Sequence, residues 1–237
     1  MVHRSLRVAL LCLLGAVSAG LRAAPKVEDS IAQRVQACVG CHGKEGRAAS
    51  DGYYPRIAGK PAGYLYNQLV NFRDGRRQYP LMTQLIDPLG DSYLQEIAAH
   101  FAGLDLPYPA PQPAAVSPAV LSRGEALVLR GDSARGLPAC VQCHGQALTG
   151  VAPAIPGLLG LPRDYLNAQL GAWKTGSRRA VAPDCMAPIA QALSPEDVGA
   201  VSQWLAAQPV PSPAKAVGSL PAALPKPCGA VVVDVRR

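Results

Sequence analysis

Two pentapeptides of the form Cys-x-x-Cys-His contain the residues with the clearest chemistry in this sequence. They are Cys38, Cys41 and His42 in the first copy and Cys140, Cys143 and His144 in the second. Two thiols three residues apart can each form a thioether with one vinyl group of a porphyrin, and the adjacent imidazole then lies beneath the iron as its proximal ligand. The repeated motif therefore predicts two covalently bound c-type haems.

Zinc ribbons and thioredoxin-like redox sites also contain Cys-x-x-Cys pairs. A structural zinc site, however, needs further Cys or His ligands at matching spacings. Outside the two motifs the chain has only the histidines His3 and His100. This shortage of ligands argues against zinc and favours haem.

The sixth iron ligand decides whether a haem protein carries electrons or reacts with a substrate. Apart from Met1, the only methionines are Met82, 40 residues after His42, and Met186, 42 residues after His144. A lone methionine is usually core filling, but two at equivalent positions indicate axial ligands. Ligation by His and Met raises the reduction potential and closes both irons to substrate.

The sequence around the haem motifs is itself repeated. Residues 55–69 and 156–170 share the pattern Pro-x-x-x-Gly-x-Pro-x-x-Tyr-Leu-x-x-Gln-Leu without a gap. The chain is therefore a tandem duplication. His100 aligns with Trp204 in this repeat, so we expect it to pack between helices, with iron ligation as the alternative.

Several polar side chains also recur in the two copies. Tyr64, Gln68, Tyr165 and Gln169 are consistent either with a haem-facing role or with a repeated helix-packing face. The arginines nearby are expected on the solvated surface, with pairing to haem propionates as the alternative. They are Arg73, Arg76, Arg77, Arg178 and Arg179.

Composition and periodicity divide the chain into a signal peptide, two helical units, a linker and an extension. The predicted bounds are 1–19, 26–106, 107–118 (Pro/Ala-rich linker), 119–208 and 209–237 (Pro-rich extension). Helical spacing of apolar residues predicts an all-α fold, with helices over 26–37 and 121–130 before the haem motifs. The linker is expected to be stiff and extended rather than packed. The one candidate strand covers 231–235.

The N-terminus predicts export to the periplasm. His3, Arg4 and Arg7 precede an apolar stretch over 8–17, which ends at small residues typical of a cleavage site. The stretch is too short to span a bilayer comfortably, although an uncleaved anchor is the alternative, and no later segment is long enough. We therefore expect a mature chain without a transmembrane span.

Charge and composition limit the classes of partner. The formal net charge is +7, and loss of the two signal-peptide arginines and addition of four haem propionates would offset most of it. No basic run with interleaved aromatic residues indicates a nucleic-acid partner. Aromatic residues make up only 5% of the chain, so porphyrins are expected to supply apolar bulk to the core.

Two cysteines remain outside the haem motifs and the signal peptide, which contains Cys12. They are Cys185 and Cys228. An even pair in an oxidising compartment predicts a disulfide. Two unpaired thiols, or Cys185 as an iron ligand, are the alternatives.

With these motifs and the duplication, the chain resembles the dihaem class I cytochromes c of the cytochrome c4 type over about residues 26–208. The resemblance implies two small all-α domains, each with one covalent haem, packed about a pseudo-twofold axis. It assigns thioether roles to the motif cysteines and axial roles to the motif histidines, Met82 and Met186. It also places Pro55 and Pro156 beside the proximal histidines, where a backbone carbonyl accepts the second ring N–H.

The chain departs from this family pattern in the tail after Gln208 and at Cys185. If Cys185 and Cys228 are joined, the tail is tied over the methionine loop of the second haem. Such a restraint would alter solvent access to the haem and thereby its potential.

These features predict an electron carrier rather than an enzyme. The expected donors are a quinol-oxidising complex or a periplasmic dehydrogenase, and the expected acceptor is a terminal oxidase or reductase, with a membrane-bound respiratory complex among the partners. The interfaces should be small and transient. The alternative is a dihaem peroxidase or a thiosulfate-oxidising enzyme with an exchangeable or Cys ligand on one haem.

Overall fold

The computed structural model describes residues 29–48 and 52–231. The predicted signal peptide and most of the candidate strand, 232–235, lie outside the described residues. The first unit is helical in this part of the chain. Its helices are α1 (Ile31–Arg34), α2 (Gln36–His42), α3 (Ala62–Arg73), α4 (Pro80–Ile86) and α5 (Asp91–Gly103).

The second unit repeats this order of helices. They are α6 (Pro118–Leu129), α7 (Cys140–His144), α8 (Arg163–Thr175), α9 (Met186–Ala192) and α10 (Pro195–Ala206). Helical periodicity did not predict one further feature, an antiparallel hairpin of β1 (Gly150–Val151) and β2 (Ile155–Pro156). No described helix is long and apolar enough to cross a membrane.

Each unit has its own hydrophobic core between its first and last helices. Leu94 and Phe101 on α5 are 0% and 2% exposed in the first unit, and Val128 on α6 and Leu205 on α10 are 0% and 2% exposed in the second. The helices α6 and α10 approach so closely at Gly124 that a Cβ there would collide with the backbone of α10. Glycine is therefore required at this crossing.

The helix predicted over 26–37 differs from the observed one. It begins after Ser30, which caps α1, and it is interrupted at Val35 (φ −87°, ψ 6°) before α2 carries the first haem motif. Val35 is only 2% exposed. The interruption buries this side chain in the core while the next turn brings Cys38 and Cys41 to the wall of a cavity.

The start of the Pro/Ala-rich linker is held against the first unit by Arg56. Arg56 is only 3% exposed. Its guanidinium donates to the carbonyls of Leu106 at 2.6 Å and Pro107 at 2.9 Å. The same group lies 3.9 Å from the ring centroid of Tyr108. Proline cannot donate a backbone hydrogen bond but keeps its carbonyl, so a buried arginine can fix a proline-rich segment.

The extension forms a strap over the second unit, which we define as residues 209–231. Val217 adds a short parallel pairing to the hairpin, because its N–H donates to the Gly150 carbonyl at 3.0 Å and its carbonyl accepts from the Ala152 N–H at 2.8 Å. Further along, a disulfide joins Cys185 to Cys228. The strap ends against the first unit, where Asn67 Nδ2 donates to the Ala230 carbonyl at 2.8 Å.

The two units meet about a pseudo-twofold axis at Arg77 and Arg178. These residues, which occupy equivalent positions of the repeat, form an antiparallel backbone bridge. The Gln78 N–H donates to the Ser177 carbonyl at 2.8 Å, and the Arg179 N–H donates to the Arg76 carbonyl at 2.6 Å. The interface thus pairs each unit with the equivalent segment of the other.

Asp197 stabilises the start of α10 and ties it to two arginines. Its N–H donates to Ser194 Oγ at 3.1 Å, and its carboxylate, 6% exposed, accepts from Arg123 at 2.9 Å and Arg135 at 2.7 Å. Burial alone raises the pKa of this carboxyl, but the hydrogen bonds from Arg135 and Arg123 outweigh burial and lower the pKa below its ordinary value. The carboxylate is therefore stabilising when ionised.

We expect Asp197→Asn to lower the free energy of unfolding by about 2 kcal/mol near neutral pH, because two cations lose their partner. The unfolded carboxyl has the higher pKa, so the stabilisation is present above that value and is lost as pH falls through the lower folded pKa. Chemical unfolding at neutral pH and below about pH 4 checks this. The control Asp164→Asn, at a side chain 86% exposed, should change little, and an equal loss in both variants would contradict the prediction.

Candidate haem sites

The first haem motif lies at the end of α2, where it places His42 in the protein interior. His42 is 8% exposed, and its Nδ1 lies 2.8 Å from the carbonyl oxygen of Pro55. A carbonyl can only accept, so Nδ1 carries the proton and Nε2 keeps its lone pair. Burial lowers the pKa of the His42 imidazole, an effect that the Pro55 carbonyl opposes and the charge of Arg77 adds to.

The second motif has the same geometry on α7. His144 is 7% exposed, and its Nδ1 lies 2.8 Å from the carbonyl oxygen of Pro156. Burial again lowers the pKa of the imidazole, against the opposing effect of the Pro156 carbonyl. Both histidines are thus neutral, oriented and able to offer Nε2 to a metal.

A mostly apolar cavity of about 830 Å³ extends through both units. Its walls include every residue for which the sequence predicts a haem contact. These are Cys38, Cys41, His42, Pro55 and Met82 in the first unit and Cys140, Cys143, His144, Pro156 and Met186 in the second. None of the four motif cysteines is part of a disulfide, so their sulfur atoms can bond to haem. Each unit therefore offers an oriented imidazole, the sulfur of a methionine and two cysteine thiols. This donor set fits one covalent haem per unit.

Each methionine lies in the first turn of a short helix at the cavity, but different residues hold the start of the two helices. Met82 is in the first turn of α4, whose N-cap position is Tyr79. Met186 begins α9, and Asp184 accepts hydrogen bonds from the Met186 N–H at 3.0 Å and the Ala187 N–H at 3.1 Å.

Sequence reasoning missed the role of Asp184. Its second oxygen accepts from Trp173 Nε1 at 3.3 Å and from the Ala180 N–H at 2.7 Å. An aspartate just before a helix is a signal that could have identified it. Asp184 therefore positions the methionine helix against α8.

A cluster of polar side chains joins the two units at the cavity wall. We call it the arginine cluster, and it consists of Tyr64, Gln68, Arg77, Tyr165, Gln169 and Arg178. Arg77 donates to Gln68 at 3.0 Å, to Gln169 at 2.7 Å and to Tyr165 at 3.2 Å. Arg178 donates to Gln169 at 2.8 Å, to Gln68 at 3.0 Å and to Tyr64 at 3.5 Å. Each guanidinium thus bonds to glutamines of both units.

The expectation of a solvated surface is wrong for Arg178, which is only 5% exposed. Its guanidinium lies 3.9 Å from the Trp173 ring centroid, as Arg77 lies 4.5 Å from that of Phe72. Planar guanidiniums stack on rings and bond to amide oxygens at the same time, which explains how they are buried. The sequence left open whether the repeated tyrosines and glutamines face the haem or pack between helices. In the structure they line the cavity and also join the two units.

Lys60 is a second buried cation at this interface. It is 5% exposed, and its Nζ lies 3.5 Å from the Gly157 carbonyl of the other unit. Burial, with a smaller effect of the Arg56 charge, lowers its pKa from 10.5 to about 8. The sequence analysis did not predict that Arg178 or Lys60 would lie in the interior.

Two alternative iron ligands can be assessed from the structure. Cys185 is half of the disulfide with Cys228, so its sulfur is not available as the thiolate that an iron ligand requires. His100 is not part of the cavity lining, and its ring packs edge-on against Phe101 with centroids 5.1 Å apart. Cys185 does line the cavity, but as part of a disulfide it does not offer a thiolate there, and His100 lies outside the lining.

The chain is similar to named proteins over most of its length. No protein-family model matches the chain. A thiosulfate dehydrogenase electron acceptor of Thiomonas intermedia is 37% identical over 90% of this chain and 95% of its own length. A cytochrome c4 of Pseudomonas aeruginosa is 33% identical over 84% of this chain and 96% of its own length.

Solved structures show the same relationship. Cytochrome c4 of Pseudomonas stutzeri superposes with a TM-score of 0.64 at 29% identity, over 74% of this chain and 95% of that one. A thiosulfate dehydrogenase of Marichromatium purpuratum superposes with a TM-score of 0.65 at 34% identity, over 73% of this chain. This chain spans 36% of the length of that larger chain.

Two tandem helical units, each with a Cys-x-x-Cys-His motif and a methionine at one cavity, define a dihaem class I cytochrome c. The chain belongs to the cytochrome c4 family, which includes the thiosulfate dehydrogenase electron acceptors. It is an electron-transfer protein with two covalent c-type haems rather than an enzyme. The predictions of fold class, cofactor and electron transfer are confirmed.

Proposed function

We propose that this protein is a periplasmic electron carrier that accepts electrons from a thiosulfate dehydrogenase and passes them to a membrane-bound respiratory complex. The observation that carries the proposal is the equivalence of the two sites. Each has an imidazole oriented by a proline carbonyl at 2.8 Å and a methionine at the same cavity. Two closed, alike sites suit storage and transfer of electrons rather than reaction with a substrate.

In this proposal each unit holds its haem with its own residues. Cys38 and Cys41, and equally Cys140 and Cys143, would form the thioethers. His42 and Met82 would hold one iron, and His144 and Met186 would hold the other. Each iron, when bound, supplies one-electron redox chemistry. The Pro55 and Pro156 carbonyls hold the imidazole rings in place, and the apolar cavity walls exclude water, both of which tune the potential.

The names of the relatives support the choice of donor. The Thiomonas intermedia protein is named as an electron acceptor of thiosulfate dehydrogenase, and a second protein with that name, from Stutzerimonas stutzeri, is 40% identical over 72% of this chain. The expected donors included a periplasmic dehydrogenase, and these names favour that class over a quinol-oxidising complex.

The proposed location and domain bounds follow the sequence pattern. Residues 1–19 would direct export and be removed, leaving domains at 26–106 and 119–208 joined by 107–118 and followed by the extension. Haem attachment to Cys-x-x-Cys-His outside the cytoplasm and the Cys185–Cys228 disulfide both suit an oxidising compartment.

Mixing the oxidised holoprotein with the thiosulfate dehydrogenase of Thiomonas intermedia and excess thiosulfate tests the donor. We expect both haems to be reduced, which corresponds to about two electrons per chain, because each haem takes one. The haem absorption bands give the measurement, and mixtures lacking either enzyme or thiosulfate are the controls. Reduction no faster than in the mixture without enzyme would refute this choice of donor.

A further inference from the structure

The two methionines follow residues of different chemistry in the repeated units. Residues 80–81, Pro and Leu, precede Met82, whereas residues 184–185, Asp and Cys, precede Met186. Proline and leucine have neither a side-chain acceptor nor a sulfur, and α4 has no side-chain hydrogen bond at its N-cap. The second unit therefore has two means of holding its methionine that the first unit cannot have at these positions.

Asp184 fixes the turn that carries Met186. One carboxylate oxygen accepts from the Met186 N–H at 3.0 Å and the Ala187 N–H at 3.1 Å. The other oxygen accepts from Trp173 Nε1 at 3.3 Å. Acceptors for the first N–H groups of a helix stabilise its first turn. Because Trp173 lies on α8, Asp184 also ties this turn to a neighbouring helix.

The disulfide holds the residue immediately before Met186. Cys185 is bonded to Cys228 of the strap, and next to this bond the Gly229 N–H donates to the Pro183 carbonyl at 2.9 Å. One covalent bond and one hydrogen bond thus join the strap to consecutive turns of chain before the methionine.

The strap is itself anchored at two distant places. Val217 pairs with the hairpin of the second unit through two backbone hydrogen bonds of 2.8 and 3.0 Å. The Ala230 carbonyl accepts from Asn67 Nδ2 of the first unit at 2.8 Å. Since Cys185 is bonded to this anchored segment, the start of α9 can move away from the cavity only if the strap moves with it.

The methionine helix of the first unit is held by weaker ties near its start. Thr83 Oγ1 donates to a carbonyl of α3 at 3.3 Å. At their far ends the two helices are held alike, because Arg73 donates to the Leu89 carbonyl at 3.2 Å and Lys174 donates to the equivalent Leu193 carbonyl at 2.7 Å. The two units thus differ most at the turn that carries the methionine.

Displacement of an axial methionine requires local opening of the turn that carries it. In this exchange the iron–sulfur bond breaks, a bond from iron to the added ligand forms, and the neutral thioether swings away without transfer of an electron. Contacts that must break during such an opening reduce the population of the open state. Ligand exchange at each iron should therefore report how firmly each turn is held.

We propose that Asp184 and the Cys185–Cys228 disulfide are positioning residues that keep Met186 on the second iron, so that an added ligand displaces Met82 long before Met186. This inference rests on the axial ligands of the proposed function. Both irons are closed at rest, and the second stays closed for longer when a small ligand competes.

The test is stopped-flow mixing of the oxidised holoprotein with excess cyanide, followed by loss of the methionine-to-iron absorption. We expect two phases of equal size that differ in rate by at least about tenfold, because the ties at Met186 must open first. Met82→Ala should leave the slow phase alone, and Met186→Ala should leave the fast phase alone. These two variants assign each phase to its haem.

Two further variants test the positioning residues. Cys185→Ser/Cys228→Ser should speed the slow phase by about tenfold or more, because the strap no longer restrains the turn. Asp184→Ala should speed it by about fivefold, the size of a typical cap contribution, and Asp184→Asn, which keeps one acceptor oxygen, should lie between Asp184→Ala and the wild type. The fast phase should not change in any of them.

The matched controls remove exposed charges of the second unit and the strap. Glu125→Ala removes an exposed carboxylate on α6, and Lys215→Ala removes a strap side chain that is 75% exposed. Both variants should show the two wild-type phases, and circular dichroism checks that every variant keeps its helices.

Four results would overturn the proposal. They are wild-type haems that react within twofold of each other, a slow phase that belongs to the first haem, a slow phase within twofold of the wild type in Asp184→Ala or in Cys185→Ser/Cys228→Ser, and equal acceleration of both phases, which would indicate general loosening. Full absorption in Met186→Ala before cyanide is added would refute the proposed ligands and this inference together.

Discussion

Replacing Met82 with alanine is expected to remove about half of the methionine-to-iron charge-transfer absorption of the oxidised protein. Met82 lines the haem cavity of the first unit, and alanine has no atom that can coordinate iron. An iron that loses its sixth ligand takes up water or an added ligand, and its potential falls because the thioether no longer stabilises the reduced state. The lower potential should appear in one of the two steps of a redox titration.

The equivalent change in the second unit is the matched experiment. Met186→Ala should remove the other half of the absorption, and the double variant should remove all of it. The N-terminus of α9 is held by Asp184 and the strap, so we expect its helix to stay in place when the sulfur is lost. Full absorption in either single variant would show that its methionine is not a ligand.

The second large effect is expected at the arginine cluster. Arg178→Leu should lower the free energy of unfolding by about 3 kcal/mol, because it removes three hydrogen bonds of the cluster and leaves Gln68 and Gln169 with Arg77 as their one remaining arginine donor. The affected acceptors are Tyr64, Gln68 and Gln169. Tyr64 and Gln68 belong to the first unit, whereas Arg178 belongs to the second. The variant therefore loses contacts between the units, and we also expect its two units to unfold in separate transitions.

Arg179→Leu is the control for this variant. Arg179 is an exposed neighbour whose guanidinium has one long bond, 3.5 Å to the Gly75 carbonyl, so its removal should cost less than about 0.5 kcal/mol. Chemical unfolding followed separately by haem absorbance and by circular dichroism gives both quantities. A cost for Arg178→Leu as small as that for Arg179→Leu would contradict a structural role for the cluster.

The sequence allowed the helical duplication and the cavity residues to be predicted because their chemistry is local or repeated. A thioether pair needs two cysteines three residues apart, and duplication places a methionine at the same distance in each copy. The pairing of Cys185 with Cys228 could be anticipated by elimination. These features need no knowledge of how distant segments pack.

The missed features depend on contacts between segments far apart in the chain. Arg178 is an ordinary surface residue until Gln68 and Tyr64, about a hundred positions earlier, surround it. The start of the linker is held in place because Arg56 donates to the carbonyls of Leu106 and Pro107. Val217 pairs with a hairpin too short to show a strand pattern. In each case, the partner that overrides the local preference lies in another part of the fold.

The central claim is that each repeated unit holds its own covalent haem while the strap is closed by a disulfide. Intact-mass measurement of the exported protein, denatured and treated with a thiol-alkylating reagent, tests it most directly. We predict the mass of the chain without residues 1–19 plus two haems, with no alkylation before reduction and two alkylated cysteines after it, Cys185 and Cys228. A single haem, or alkylation without reduction, would contradict the account.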